Sequence, residues 1–231
     1  MTTPAEPLDA EKLAYWYLRL NGYLQIENFV VHPGGRGGQR TDADLLGVRF
    51  PHRAERLIDD PDDVMADDRE TLGLDGRAID VVIAEVKRGQ RCMLNGPWTK
   101  PERQNIDRVL AAIGCLPPRS IGPAASALYR TGLYAGDGLR VRLIAFGMSY
   151  NTELADRYQQ VAQIVWNQVI EFVWKRLRRY LDQKADIHQW DAQGRRLRAL
   201  AEEARDLEEF RVAVYSDIGW RGPGSGPRAD Q

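Results

Sequence analysis

Apolar residues recur along this chain at two spacings, and each change of spacing marks an element. From Asp9 to Leu20 the stripe of Leu13, Tyr17, Leu18 and Leu20, with Tyr15 or Trp16 alongside, follows a helical repeat. Asp9 suits the N-cap of that helix, and Asn21-Gly22 suits its end. Tyr23 to Val31 partly alternates, as a strand does. Thr41 to Phe50 reads as the next strand, with Asp42 and Asp44 on one parity and Leu45 opening its apolar part. The run Ile79-Asp80-Val81-Val82-Ile83-Ala84-Glu85-Val86-Lys87 differs from both. It is almost continuously apolar and β-branched, as in a strand buried on both faces, and it closes on two charges. Helices are predicted over about 101–116, stopped by Pro117-Pro118, and over about 121–133. A strand follows at 139–147, then a segment at 158–166 that fits a strand or the start of a helix. Helical repeats at 167–181 and 191–209 complete the pattern.

Between these elements lie two polar stretches. His32 to Arg40 carries four glycines with Arg36 and Arg40, and reads as a turn or as a mobile arm touching phosphates. It lacks the Gly-Lys-Ser/Thr ending of a phosphate-binding loop. Arg53 to Thr71 holds eight acids against three arginines, but not at the spacing of a calcium loop, and reads as a solvated insertion. With 231 residues, the chain is predicted to fold as a core over 1–160 with this acidic insertion at 53–76. A helical extension over 161–220 and a disordered tail over 221–231 follow.

Composition narrows the classes of function. The chain is 43% hydrophobic and 28% charged, which is ordinary for a globular protein. Its 32 basic and 33 acidic residues nearly cancel, so any nucleic-acid surface has to be local. No apolar run is long enough for a membrane span, and the first residues do not resemble a signal peptide. Two cysteines, Cys92 and Cys115, are too few for a disulfide framework or a zinc cage and read as reduced thiols in a cytoplasmic protein. His32, His52 and His188 lack metal-ligand spacing.

Glu85 and Lys87 point the same way at the end of a buried strand. Charge there needs a partner, so the pair is either a structural ion pair or a metal-ligand carboxylate beside a catalytic lysine. Two carboxylates on neighbouring strands, Asp44 and Glu85, suit Mg2+ (or Mn2+), with the carbonyl of Val86 as a third ligand. Asp42 is an alternative to Asp44, and Glu11 in the first helical turn is equally explained by the helix dipole. Asp80 faces away from Glu85 and reads as structural. Trp98 reads as core.

Taken in order, Glu11 in the first helix, Asp44-Leu45-Leu46-Gly47, and the apolar strand ending Glu85-Val86-Lys87 resemble the PD-(D/E)XK nuclease superfamily over about residues 8–150. Ala43 stands where the proline of the family name is expected, and the gap from Asp44 to Glu85 is long. The resemblance implies an α/β, restriction-endonuclease-like αβββαβ core, with a mixed central sheet flanked by helices and a C-terminal helical extension. It implies a metal-dependent nuclease hydrolysing phosphodiester bonds, foremost a DNA endonuclease. Asp44, Glu85 and Lys87 are then catalytic, and Asp44, Glu85, Val86 and Glu11 hold the metal. Nucleic acid is the expected partner, with Arg36, Arg40, Gln90 and Lys100 as contacts, a homodimer as an open arrangement and no membrane. The alternative is a catalytically silent nuclease-fold module that binds nucleic acid.

Overall fold

The computed structural model describes residues 7–32, 41–57, 60 and 62–220. Helix α1 (Ala10–Leu20) starts at Asp9, whose carboxylate accepts the Lys12 N–H at 2.7 Å, and its apolar stripe is buried. Gly22, at φ 81°, turns the chain into β1 (Leu24–Val31). Strand β2 (Thr41–Arg49) returns antiparallel to β1. The loop carrying Arg36 and Arg40 lies outside the described residues, as does the tail expected to be disordered.

The acidic stretch then forms a two-stranded ribbon, β3 (Glu55–Arg56) and β4 (Val64–Met65). Strand β5 (Ile79–Val86) is the greasy run, and α2 (Gly96–Thr99) is a single turn. Next come α3 (Asn105–Ile113), α4 (Pro118–Thr131), β6 (Leu133–Gly136), β7 (Leu139–Gly147), α5 (Thr152–Arg157) and β8 (Ala162–Val165). Helices α6 (Trp166–Arg179), α7 (Ala192–Glu203) and α8 (Leu207–Asp217) close the chain.

The fold is α/β, with one mixed sheet in the order β1-β2-β5-β7-β6. Strand β5 is central, antiparallel to β2 and parallel to β7. The far edge of β7 is shared: β6 covers Leu139–Arg142 antiparallel, and β8 covers Ile144–Gly147 parallel. Helices pack on both faces, as the apolar length of β5 requires. On one face Val82, Ala84, Val86, Ile144 and Phe146 meet α1, α6, α7 and α8. On the other Val81, Ile83, Val141, Leu143 and Ala145 meet Trp98, α3 and α4. The 161–220 stretch thus adds a strand to the sheet and three helices to one layer.

Several sequence-based expectations need correction. The helix expected over 101–116 is broken, because Gln104 takes a left-handed φ of 54° between a 3-10 turn at Pro101–Arg103 and α3. The helix expected to reach Leu133 stops at Thr131, and Leu133 opens β6, joined to β7 by Asp137-Gly138, both at positive φ. The helix expected over 191–209 is two, because Asp206 caps a new one by accepting the Glu209 N–H at 2.9 Å. The acidic insertion is solvated only in part. Asp67 accepts from Arg49 (2.6 Å) and Arg53, and lies 3.7 Å from Arg176 of α6. Asp68 accepts the Tyr17 hydroxyl at 2.8 Å, and Leu72 is fully buried.

Candidate active site

The site gathers where β2 passes the C-terminal end of β5. Asn28 in β1 has φ 50°, and both Asn28 and Asp44 drop out of the ladder between the pairs Glu27↔Leu45 and Phe29↔Ala43. The ribbon turns over at this kink. Leu45 packs in the core layer of α1, while Ala43, two residues away, packs in the opposite layer. Regular alternation would put both on one face. Freed from the ladder, Asp44 reaches across to β5, where its Oδ2 accepts the Val86 N–H at 2.6 Å. Val86 is the residue between Glu85 and Lys87, so the three sequence-predicted catalytic residues converge on one tripeptide.

Glu85 is 1% exposed, and both its carboxylate oxygens accept hydrogen bonds. Its Oε1 accepts from the Lys87 ammonium and the Asn95 amide, and its Oε2 accepts the Trp98 indole N–H at 2.8 Å. Burial, and then the charge of Asp44, nevertheless push its pKa up to about 7, against the pull of Lys87 and Trp98. Burial also raises Asp44, offset by the Val86 N–H and by Lys87. Lys87 is fixed at its backbone. Its N–H donates to Phe146 O at 3.0 Å, and its carbonyl accepts the Trp166 indole N–H at 3.1 Å. The loop that follows is sewn to the end of β7 through Met148 N to Gln90 O (2.7 Å) and Cys92 N to Ser149 O (2.8 Å).

Glu11 faces this corner from α1. It lines a cleft of about 230 Å³ with Asp9, Ala10, Val86 and Arg88. Burial raises its pKa, followed by the charges of Asp44, Asp9, Asp42 and Glu27. Asp42, opposite Val30 in the ladder, acts on Asp44 through its charge. Gln90 and Lys100 are exposed, and neither donates a hydrogen bond to Asp44, Glu85 or Lys87. Asp80 belongs to the opposite layer, in a buried cluster with Tyr23, Arg140 and Arg142.

Asn95 and Trp98 are the members of the site that sequence reasoning missed. A signal was present: a carboxylate ending an apolar strand requires donors, and Asn95-Gly96-Pro97-Trp98 offers two within one turn of chain.

The donor set fits a hard divalent cation in its chemistry. Burial raises the proton affinity of Asp44, Glu85 and Glu11, and the charge of Asp44 raises the other two further, as carboxylates do where positive charge is short. Oxygen ligands of this kind suit Mg2+ or Mn2+. Among the described residues no three His, Cys, Asp or Glu side chains already stand in ligand geometry. Lys87 and Asn95 hold Glu85 Oε1, and a cation takes that oxygen only as they give it up.

Comparison of the chain with family models, curated proteins and solved structures finds no match. No described helix is long and apolar enough to cross a membrane.

Proposed function

We propose that this protein is a metal-dependent nuclease that hydrolyses phosphodiester bonds in DNA. The observation that carries the proposal is the grip of Asp44 on the Val86 N–H, with Glu85 and Lys87 on either side of that residue. A restriction-endonuclease-like core is the fold reading this supports. The order α1, β1, β2, β5, then helices, then β7 is the αβββαβ order that such a core needs.

Asp44 and Glu85 would hold Mg2+ or Mn2+, with the Val86 carbonyl and with Glu11 directly or through water. When bound, the ion lowers the pKa of a water and neutralises charge developing on phosphate oxygen. Lys87, released from Glu85, is placed to orient the attacking water or to donate to the phosphate. Asp44 also accepts the backbone N–H of Val86 at the end of β5. Arg88 lines the cleft beside Glu11 and offers a cation to a phosphodiester entering there.

The test uses plasmid DNA, linear DNA and RNA with Mg2+, Mn2+ or EDTA. Wild type should cleave DNA only with metal, and Lys87→Ala should lower the rate by about 10²-fold or more. Equal background cleavage by both proteins on all substrates defeats the proposal. The donors closing on both oxygens of Glu85 favour a second reading, a silent module that binds nucleic acid. That reading expects DNA binding in EDTA and no rise of melting temperature with Mg2+.

A further inference from the structure

One buried donor at the site has no counterpart in the motif that suggested the site. Trp98 and Glu85 are each 1% exposed, and the indole N–H meets Glu85 Oε2 at 2.8 Å. An indole N–H only donates. It reaches Oε2 from within the core, and this buried donor fixes the plane of the carboxylate. Oε1, which faces Lys87 and Asn95, is the oxygen left to exchange partners.

Trp98 is itself held firmly. It sits in α2, a single turn with Pro97 in it, and Asn105, fully buried, donates through Nδ2 to Pro97 O at 3.1 Å. Its ring packs in the layer formed with Ile106, Val109 and Leu110 of α3. The donor is thus anchored to a helix layer and not to a loose loop. Asn95 differs, being exposed at the lip of the turn.

We infer that Trp98 is a positioning residue for Glu85, fixing Oε2 so that Oε1 alone is presented to Lys87 and to a divalent cation. The inference rests on the metal-dependent reading of the site. Trp98 is too buried to touch substrate, so it acts only through Glu85. A merely structural tryptophan would be served as well by another large aromatic ring. The positioning role needs the N–H.

Two measurements on the full chain test this. In the first, the indole 15N–1H resonances are followed in wild type as Mg2+ is added, with that of Trp98 identified by Trp98→Phe. The Trp98 resonance should move saturably with Mg2+ while that of Trp16, bonded to Asp191, stays still. A Trp98 resonance unmoved by saturating Mg2+ overturns the inference. In the second, Trp98→Phe is compared with wild type in DNA cleavage across a Mg2+ series. Loss of a group that orients a metal ligand typically costs about 10–100-fold. The expected result is a fall of that size in kcat, a higher half-saturating Mg2+ concentration and an unchanged KM for DNA. Wild-type kcat and metal dependence in Trp98→Phe overturn the inference and leave the nuclease reading standing. If wild type shows no Lys87-dependent cleavage, the nuclease reading fails and the resonance titration alone decides the role of Trp98. If Trp98→Phe does not fold, the resonance is identified instead by its displacement in Glu85→Gln, and the same titration decides.

Discussion

Glu85 holds most of the chemistry at the residue scale because it is a carboxylate with almost no water and a like-charged neighbour. Its folded pKa is about 7, whereas a glutamate in an unfolded chain titrates near ~4.3. Between those values the folded protein holds a proton that the unfolded chain has lost. Stability contributed at this residue therefore falls as pH rises through the window and levels off above it. Glu85→Gln has no such proton to lose. Its stability relative to wild type should increase by about 1–3 kcal/mol between pH 5 and pH 8, measured by urea unfolding. A difference that stays constant with pH would show that Glu85 titrates normally. Protons and metal compete for the same oxygens. Half-saturating Mg2+ should therefore rise as pH drops below about 7 in a fluorescence or calorimetric titration.

At the scale of elements, the kink in the β1–β2 ribbon decides where Asp44 points. Asn28 at φ 50° is an uncommon conformation for a strand residue, although asparagine tolerates it better than most. Asn28→Gly should keep the kink and the fold. Asn28→Val should cost about 1–3 kcal/mol, because a β-branched residue resists a left-handed conformation. If valine straightens the ribbon instead, the Val86 amide will lose its protection in hydrogen exchange, because Asp44 no longer reaches it. The end of β7 has a comparable constraint. A Cβ at Gly147 would lie 2.6 Å from Cys92 N and 2.8 Å from Gln90 O, both backbone atoms of the loop that follows Lys87. Gly147→Ala should thus displace that loop, lowering stability by about 1–3 kcal/mol and cleavage with it.

Across the whole molecule, the sheet is tied to its surroundings by buried charge as well as by apolar packing. Asp80 accepts from Tyr23 (2.5 Å), Arg140 (3.1 Å) and Arg142 (2.6 Å), and Arg142 also donates to Leu72 O at 2.6 Å. One carboxylate thus joins β5, β7, the turn after α1 and the acidic insertion. Burial alone would raise Asp80, but Arg142, Arg140 and Tyr23 outweigh it and hold it below its usual 3.8. The stability it contributes is complete above that value and is lost as pH falls through the lower folded pKa. Asp80→Ala leaves Arg142 buried without its partner and should cost about 3–5 kcal/mol in chemical unfolding at pH 7. A loss under 1 kcal/mol would mean that water or Tyr23 replaces the carboxylate.

Local sequence determined much of this. The stripe of α1 with its Asp9 cap, the buried run of β5 and the helical repeat of α6 are legible because each is set by side-chain period and by a capping residue within a few positions. Asp137-Gly138 was equally local evidence for the β6–β7 hairpin, yet the apolar repeat of α4 running into Leu133 concealed it. The pairing of Glu85 with Lys87 was also readable, since two residues of one parity at a strand end must share a face. Tertiary structure alone decided the rest. Asp44 reaches Val86 through a kink opposite Asn28, across 42 positions of chain. The Asp67 side chain is largely covered because arginines from β2, the acidic stretch and α6 meet there. Trp98 reads as core from its hydrophobicity, and only the packing of α2 beside β5 turns its N–H onto Glu85. Sequence period fixes which face a side chain takes within its own element. Which groups meet across elements depends on strand register and helix placement, and those are settled by the whole core at once.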